Sequence, residues 1–207
     1  MDVIVELDAA AAEYASRYPE VFSIVRLEKN SGLGIALRTG LEHCRNEWVV
    51  RMDSDDLSAP DRVERQLKAL ESAPDCSIVG GQIAEFTDSV EQIAGLRRVP
   101  TDMDGIRRML LSRNPVNHVT VMMKKSDIEA VGSYCDFPGF EDYHLWARLI
   151  AAGKTVCNID EVLCYVRVGT DMYGRRGGMQ YFRRAKRFFA YIAATGARKR
   201  ELKARKG

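Results

Sequence analysis

The sequence predicts an α/β fold, a mostly parallel central sheet flanked by helices, and three observations carry that prediction. A short apolar strand over Val21 to Leu27, a helix over Ile35 to Arg45 and a second strand from Trp48 make a strand, helix, strand series, the mark of a parallel crossover. Between the first strand and the helix, Asn30-Ser31-Gly32-Leu33-Gly34 forms a tight glycine loop. The second strand, Trp48-Val49-Val50-Arg51-Met52, runs straight into Asp53-Ser54-Asp55-Asp56. In open sheets of this kind ligands bind beyond the carboxyl ends of the strands, which is where these acids fall.

The remaining elements follow in order. Asp8 to Arg17 is alanine-rich and stops before Pro19, as a helix does. After the acidic cluster, Ser58 is a candidate N-cap and Pro60 suits a first helical turn, so Asp61 to about Pro74 reads as a helix. Cys76 to Phe86 and Gln92 to Arg98 read as strands around a polar turn, and Met103 to Ser112 as a helix. Asn117 to Met123 reads as a strand and Ser126 to Val131 as a short capped helix. Glu141 and Asp142 open a further helix, in which Leu145, Trp146, Leu149 and Ile150 share one apolar side. Thr155 to Ile159 and Val162 to Val168 complete the strands.

Like charges as close as Asp53, Asp55 and Asp56 repel, and a metal or cationic ligand usually keeps them together. Strand alternation would point Asp53 and Asp55 the same way. A hard divalent ion takes oxygen ligands and shares itself with phosphate, so the cluster points to Mg2+ or Mn2+ and a nucleoside diphosphate. One bland reading is a solvated acidic turn ahead of the helix, but that helix needs only Ser58 and Asp61. A calcium loop fits Asp53, Asp55, Asp61 and Glu64 but fails at Leu57, Ser58 and Pro60. The glycine loop borders the same crevice or is simply a helix entry. Helix capping alone would account for Glu141 and Asp142.

The chain of 207 residues, 46% hydrophobic, suits one soluble domain with a sizeable core. With no long apolar run and no leader-like start, the expectation is an intracellular, cytoplasmic protein. Cys44, Cys76, Cys135, Cys157 and Cys164 are odd in number and lack C-x-x-C spacing, and so read as reduced core residues. The formal charge of +2 hides an asymmetry. Residues 183 to 207 hold ten Lys or Arg against Glu201, a local +9 that leaves −7 upstream. Phe182, Ala185, Phe189 and Ile192 recur near helical spacing among these cations. Two readings stay open: a basic amphipathic helix on an anionic membrane surface, or a helix whose aromatic side packs on the domain. No nucleic-acid reading motif accompanies the basic residues, so nucleic acid is not expected.

Taken together the segments resemble a bacterial family 2 glycosyltransferase with the GT-A fold, from about Val25 to Gly178. The carriers are Asn30 to Gly34 with Ala36-Leu37, the Asp53-Ser54-Asp55-Asp56 cluster, Asn114-Pro115-Val116-Asn117-His118, Gly132-Ser133-Tyr134, Glu141-Asp142-Tyr143-His144-Leu145-Trp146 and Tyr165-Val166-Arg167. The resemblance implies that Asp53 and Asp55 belong to a metal and sugar-nucleotide motif, with Asp55 the direct ligand of Mn2+ or Mg2+ and Asp56 beside it. Gly32 and Gly34 would border the nucleotide sugar. Asp142 would be the catalytic base, with Glu141 in reserve, and His118 would lie on the acceptor side. Arg176, in Arg175-Arg176-Gly177-Gly178, would fold over the diphosphate; an exposed basic turn is the plainer reading.

Family members begin with a strand and a helix before a second strand that ends in a nucleobase-contacting acid. Here Met1 to Val5 arrives almost at the following helix, so the expectation is an amino-terminally truncated domain over 1–178 with an exposed, self-associating sheet, then a basic helix and tail over 179–207. The implied activity is inverting, metal-dependent transfer of a sugar from a nucleoside diphosphate donor to a glycan or lipid-linked acceptor, in cell-surface polysaccharide synthesis at the cytoplasmic membrane face. The competing readings are a non-catalytic remnant that retains a metal site, and a scaffold for a membrane-binding tail.

Overall fold

The computed structural model of the protein describes residues 2–5, 11–169 and 179–194. Seven strands form one sheet: β1 (Asp2–Val5), β2 (Trp48–Met52), β3 (Leu57–Ser58), β4 (Cys76–Phe86), β5 (Ile93–Arg97), β6 (Met122–Lys124) and β7 (Thr155–Arg167). The order is β1-β2-β6-β4-β7-β3, with β5 paired to β4. The helices are α1 (Ala11–Arg17), α2 (Leu33–His43), α3 (Arg62–Ser72), α4 (Met103–Leu110), α5 (Lys125–Ala130), α6 (Glu141–Ala151) and α7 (Met179–Ala194), with a 3-10 turn over His118–Thr120.

Several expectations change. The sheet is mixed rather than mostly parallel: β1 with β2 and β4 with β7 are parallel, while β2 with β6, β4 with β6, β4 with β5 and β3 with β7 are antiparallel. Val21 to Leu27 is not a strand. The parallel neighbour of β2 is instead β1, with Val3 opposite Val50, so the crossover holds both α1 and α2. Residues 14–27 leave Tyr14, Phe22, Ile24 and Leu27 exposed, with Val21 at 71%, because no strand of the sheet takes them up. Thr155–Arg167 forms one long strand, since β4 supplies a partner along nearly all of it. Asn117 to Met123 divides into the 3-10 turn and a short β6. Ser58 does not cap α3; it lies in β3 and donates to the Ala59 carbonyl, and Asp61 holds the N-cap position.

The cysteines need a correction too. Cys76 and Cys157 form a disulfide across β4 and β7, their Cα atoms 6.5 Å apart. Parallel pairing between two strands distant in sequence brings them together, which local spacing does not reveal. Cys44, Cys135 and Cys164 are not disulfide-bonded.

The core explains why these segments order as they do. Leu37 and Leu41 of α2, Ile106 and Leu110 of α4, Leu145, Trp146 and Leu149 of α6 and Phe188 and Ile192 of α7 join Val49 and Ile78 of the sheet in one buried cluster. The helical residues recur at the spacing of a single helix face, which is what an amphipathic helix needs in order to dock. Of the two readings of the basic helix, the structure shows the packed one. Phe188 lies 4.3 Å from the Tyr143 ring and 5.1 Å from Phe140, and His144 lies 4.7 Å from Tyr191. Burying such a ring contributes about 2–3 kcal/mol. Phe182 alone of the four apolar positions stays exposed, at 65%. Among the described residues no helix is long and apolar enough to cross a membrane. Residues 195–207 lie outside them.

Candidate active site

At the carboxyl end of β2 the chain leaves the sheet and turns, with the Asp56 N–H donating to the Asp53 carbonyl at 3.4 Å. Strand alternation therefore stops at Met52 and does not extend to Asp53 and Asp55. Arg51, 4% exposed, forks both guanidinium nitrogens onto the Asp53 carboxylate. The cation that the acidic cluster calls for is, for Asp53, two residues back in its own strand. The available signal was the short spacing, with Arg51 only two residues before Asp53.

Asp56 is half-buried, and one of its carboxylate oxygens accepts the Arg167 N–H at 3.0 Å, tying the turn to the end of β7. Burial pushes its pKa up to about 6; the Arg167 hydrogen bond opposes this, and Asp53 and Asp55 add to it. Asp55 is exposed, and among the described residues it has no side-chain hydrogen bond or ion pair.

The opposite wall is built by the amino termini of two helices. Gly32 caps α2 at φ 85°, a left-handed conformation that favours glycine, and the Asn30 side chain accepts its N–H at 3.1 Å. One residue into α2, a Cβ on Gly34 would stand 2.4 Å from the Cys135 carbonyl oxygen and 3.3 Å from Cγ of Glu141. The missing side chain at Gly34 thus lets α2 seat against the entry to α6.

Asp142, the second residue of α6, accepts a 2.6 Å hydrogen bond from the Asn114 amide. Burial raises its pKa, opposed by the Tyr143 N–H, by Asn114 and by the charges of Arg51 and Arg97. Glu141 accepts the Gly139 N–H at 2.9 Å, and burial raises its pKa as well. Arg51 is the element common to both walls. Its guanidinium holds Asp53, and its charge is felt by Asp56 and by Asp142. The charge of one buried guanidinium is therefore shared by the acidic turn and the α6 terminus.

His118 sits in the 3-10 turn, not at a strand start. Its Nε2 is 2.9 Å from the Tyr134 hydroxyl and its ring packs 5.8 Å from Trp146. Burial, then the Arg51 charge, holds its pKa well below the ordinary histidine value, so the ring is neutral. Arg38 donates to the Tyr134 carbonyl at 2.8 and 2.6 Å, fixing the loop that carries this partner. Arg176 lies outside the described residues.

Comparison with known proteins now decides the family. The profile described as Glycosyl transferase family 2 matches residues 6–131. The chain belongs to glycosyltransferase family 2. An uncharacterized glycosyltransferase of Haemophilus influenzae is 41% identical over 89% of this chain and 67% of its own length. The amylovoran biosynthesis glycosyltransferase AmsE of Erwinia amylovora is 39% identical over 86% of this chain and 65% of its own. A UDP-Gal:alpha-D-GlcNAc-diphosphoundecaprenol beta-1,3-galactosyltransferase of Escherichia coli is 36% identical over 75% and 56%. The chain thus spans between about half and two thirds of the length of these relatives. S. aureus TarS 1-349 in complex with UDP-GlcNAc superposes with a TM-score of 0.65 at 14% identity, over 93% of this chain and 56% of that one. The mannosyltransferase PcManGT from Pyrobaculum calidifontis, in complex with GDP-Man and Mn2+, gives 0.57 at 18% over 99% and 66%. These likenesses place the fold as GT-A.

Does the donor set of this family 2 chain suit a divalent ion? Among the described residues no group of three or more His, Cys, Asp or Glu is arranged to hold a metal. Asp53 is committed to Arg51 and Asp56 partly to Arg167, which leaves Asp55 with its oxygens free. One free carboxylate with a second beside it suits a hard cation that keeps water and completes its shell with substrate phosphate, as Mg2+ does. It does not suit a resident ion caged wholly by protein.

Proposed function

We propose that this chain carries the catalytic centre of an inverting, metal-dependent glycosyltransferase, which moves a sugar from a nucleoside diphosphate donor to a glycan or lipid-linked acceptor in cell-surface polysaccharide synthesis. The observation that carries the reading is the placement of Arg51. One buried guanidinium pairs with the turn that carries the exposed Asp55, and its charge also reaches the carboxylate of Asp142 at a helix terminus. Such an arrangement has the parts for a diphosphate leaving group and for a proton acceptor. The relatives named above, of polysaccharide and lipid-linked oligosaccharide synthesis, support the acceptor class.

Asp55, with Asp56 beside it, would hold Mn2+ or Mg2+, whose charge offsets that of the departing diphosphate. Asp142 accepts the proton of the acceptor hydroxyl. The freed oxygen forms its bond to the anomeric carbon on the face opposite the diphosphate, and the bond from that carbon to the diphosphate oxygen breaks. Burial favours this role, because a base whose pKa is raised binds the proton more readily. Asn114 fixes the carboxylate's orientation, and Arg51 engages Asp53, which leaves Asp55 for the ion. Gly34 allows the α2 and α6 termini to close on each other. The exposed cations Arg183, Lys186 and Arg187 of α7 suit the anionic inner face of the cytoplasmic membrane, where a lipid-linked acceptor would be met.

The test is transfer itself: the enzyme is incubated with Mn2+, a panel of nucleoside diphosphate sugars and lipid-linked acceptors, and the anomeric configuration of the product is read by NMR. Inverted product supports the reading. Retained configuration, or hydrolysis without transfer across the whole panel, contradicts it.

A further inference from the structure

Arg62, the first residue of α3, is 1% exposed, and among the described residues every partner of its guanidinium is neutral. Nε donates to the Gln66 side chain at 3.1 Å, and Nη1 reaches the sulfurs of Met52 at 3.4 Å and Cys164 at 3.3 Å. Nη2 donates to the main-chain carbonyls of Arg51 at 3.1 Å and Val121 at 3.2 Å. Burial pushes the Cys164 thiol up to about 11, so it stays protonated and gives no counter-charge. The charge that Arg62 feels from its neighbours includes that of Arg51, of like sign. Arginines are almost never fully buried unless paired, because desolvating the charge is costly. A buried guanidinium without an acid therefore calls for a reason other than stability.

Its partners supply one. Arg51 and Met52 are the two residues immediately before Asp53. Cys164 of β7 is opposite Ser58 of β3, the strand that follows Asp56. Arg62 thus holds the start of the Asp53 to Asp56 turn directly and reaches its far end only through β7, the partner of β3. Gln66, one helical turn on, donates to the carbonyls of Val79 at 2.6 Å and Thr120 at 2.8 Å, so the pair also bolts the turn to β4 and to the His118–Thr120 segment.

We propose that Arg62 is a positioning residue for the donor: its forked guanidinium sets the end of β2 so that the Asp53 to Asp56 turn presents Asp55 to the metal and diphosphate. This rests on the donor-site reading above. The geometry needs a planar fork that reaches two carbonyls and a side-chain oxygen at once, which a lysine ammonium cannot supply although it keeps the charge.

The probe is Mn2+ with inorganic pyrophosphate, which needs no knowledge of the base or sugar, followed by electron paramagnetic resonance titration of the 207-residue chain. Dissociation constant and number of sites are read separately. Arg62→Lys and Arg62→Gln are both expected to weaken binding, Arg62→Gln by about tenfold to a hundredfold, the usual scale for loss of an outer partner of a metal ligand. The number of sites per folded chain should stay that of the wild type. A merely structural role would lower the number of sites at an unchanged constant. Arg62→Lys is the arm least disturbing to folding, and a wild-type constant for it overturns the proposal even if Arg62→Gln fails to fold. Asp55→Asn separates the two ideas. If it binds as the wild type does, or if the wild type does not bind, the donor-site reading falls and this one with it. If Asp55→Asn abolishes binding while the Arg62 variants retain the wild-type constant, only the Arg62 proposal falls.

Discussion

Arg51 forks onto Asp53 from two residues upstream in the same strand end, and the charge of that buried guanidinium reaches Asp142 at the α6 terminus. Because Arg51 favours the ionised form of Asp142, its removal raises the Asp142 pKa. A base acts when deprotonated, so the acid limb of transfer by Arg51→Met should move to higher pH. Initial rates across a pH series check this, and an acid limb that does not move would show that the two groups are uncoupled.

Asp142→Asn should leave donor binding nearly unchanged and lower transfer by at least about a hundredfold, the scale of general-base loss. The pH dependence carries a second signature. Burial raises the folded-state pKa of Asp142, so ionisation there opposes folding as pH rises through and above the ordinary aspartate range. The amide should therefore be no less stable than the wild type at neutral pH. Wild-type rates with this variant would reduce Asp142 to a helix cap.

Gly34→Ala places a methyl group 2.4 Å from the Cys135 carbonyl oxygen, a backbone atom that cannot swing away. The α2 and α6 termini must then part. Transfer should fall sharply while nucleotide affinity, set at the β2 end, changes little. Equal loss of both would mean that the damage is global.

Phe188→Ala should destabilise the domain by about 3–5 kcal/mol, the cost of truncating a buried phenylalanine, because the ring is seated among Phe140, Tyr143 and Phe189. For a domain of this size that corresponds to a melting temperature lower by roughly 10 °C. A shift near zero would mean that α7 does not belong to the core.

How much of this was legible beforehand follows from the range over which each interaction acts. The helices over 62–72, 103–110 and 141–151 announce themselves because apolar spacing and helix entry are local. The strand over Cys76–Phe86 was legible because an apolar-rich stretch is bounded by Pro74 on one side and a polar turn on the other. Asp53, Asp55 and Asp142 stood out because clustered acids after an apolar strand, or acids at a helix start, are local chemistry. What escaped depends on partners far away or on the end of a regular pattern. Val21 to Leu27 has strand composition but finds no edge, and Cys76 meets Cys157 across 81 residues of sequence. Strand alternation predicted that Asp53 and Asp55 would act together, but the strand ends at Met52. Nothing local in the helix from Asp61 singles out Arg62, because its partners are carbonyls of Arg51 and Val121.

The central claim is that the turn after β2 receives a nucleoside diphosphate through a divalent ion held by Asp55. Calorimetric titration of the protein with a panel of nucleoside diphosphate sugars, with Mn2+ and with chelator, and repeated on Asp55→Ala, tests it most directly. Donor binding should require Mn2+ and disappear in Asp55→Ala while the fold, read by circular dichroism, is retained. Binding of equal affinity in the wild type and Asp55→Ala, or binding indifferent to chelator, would contradict it.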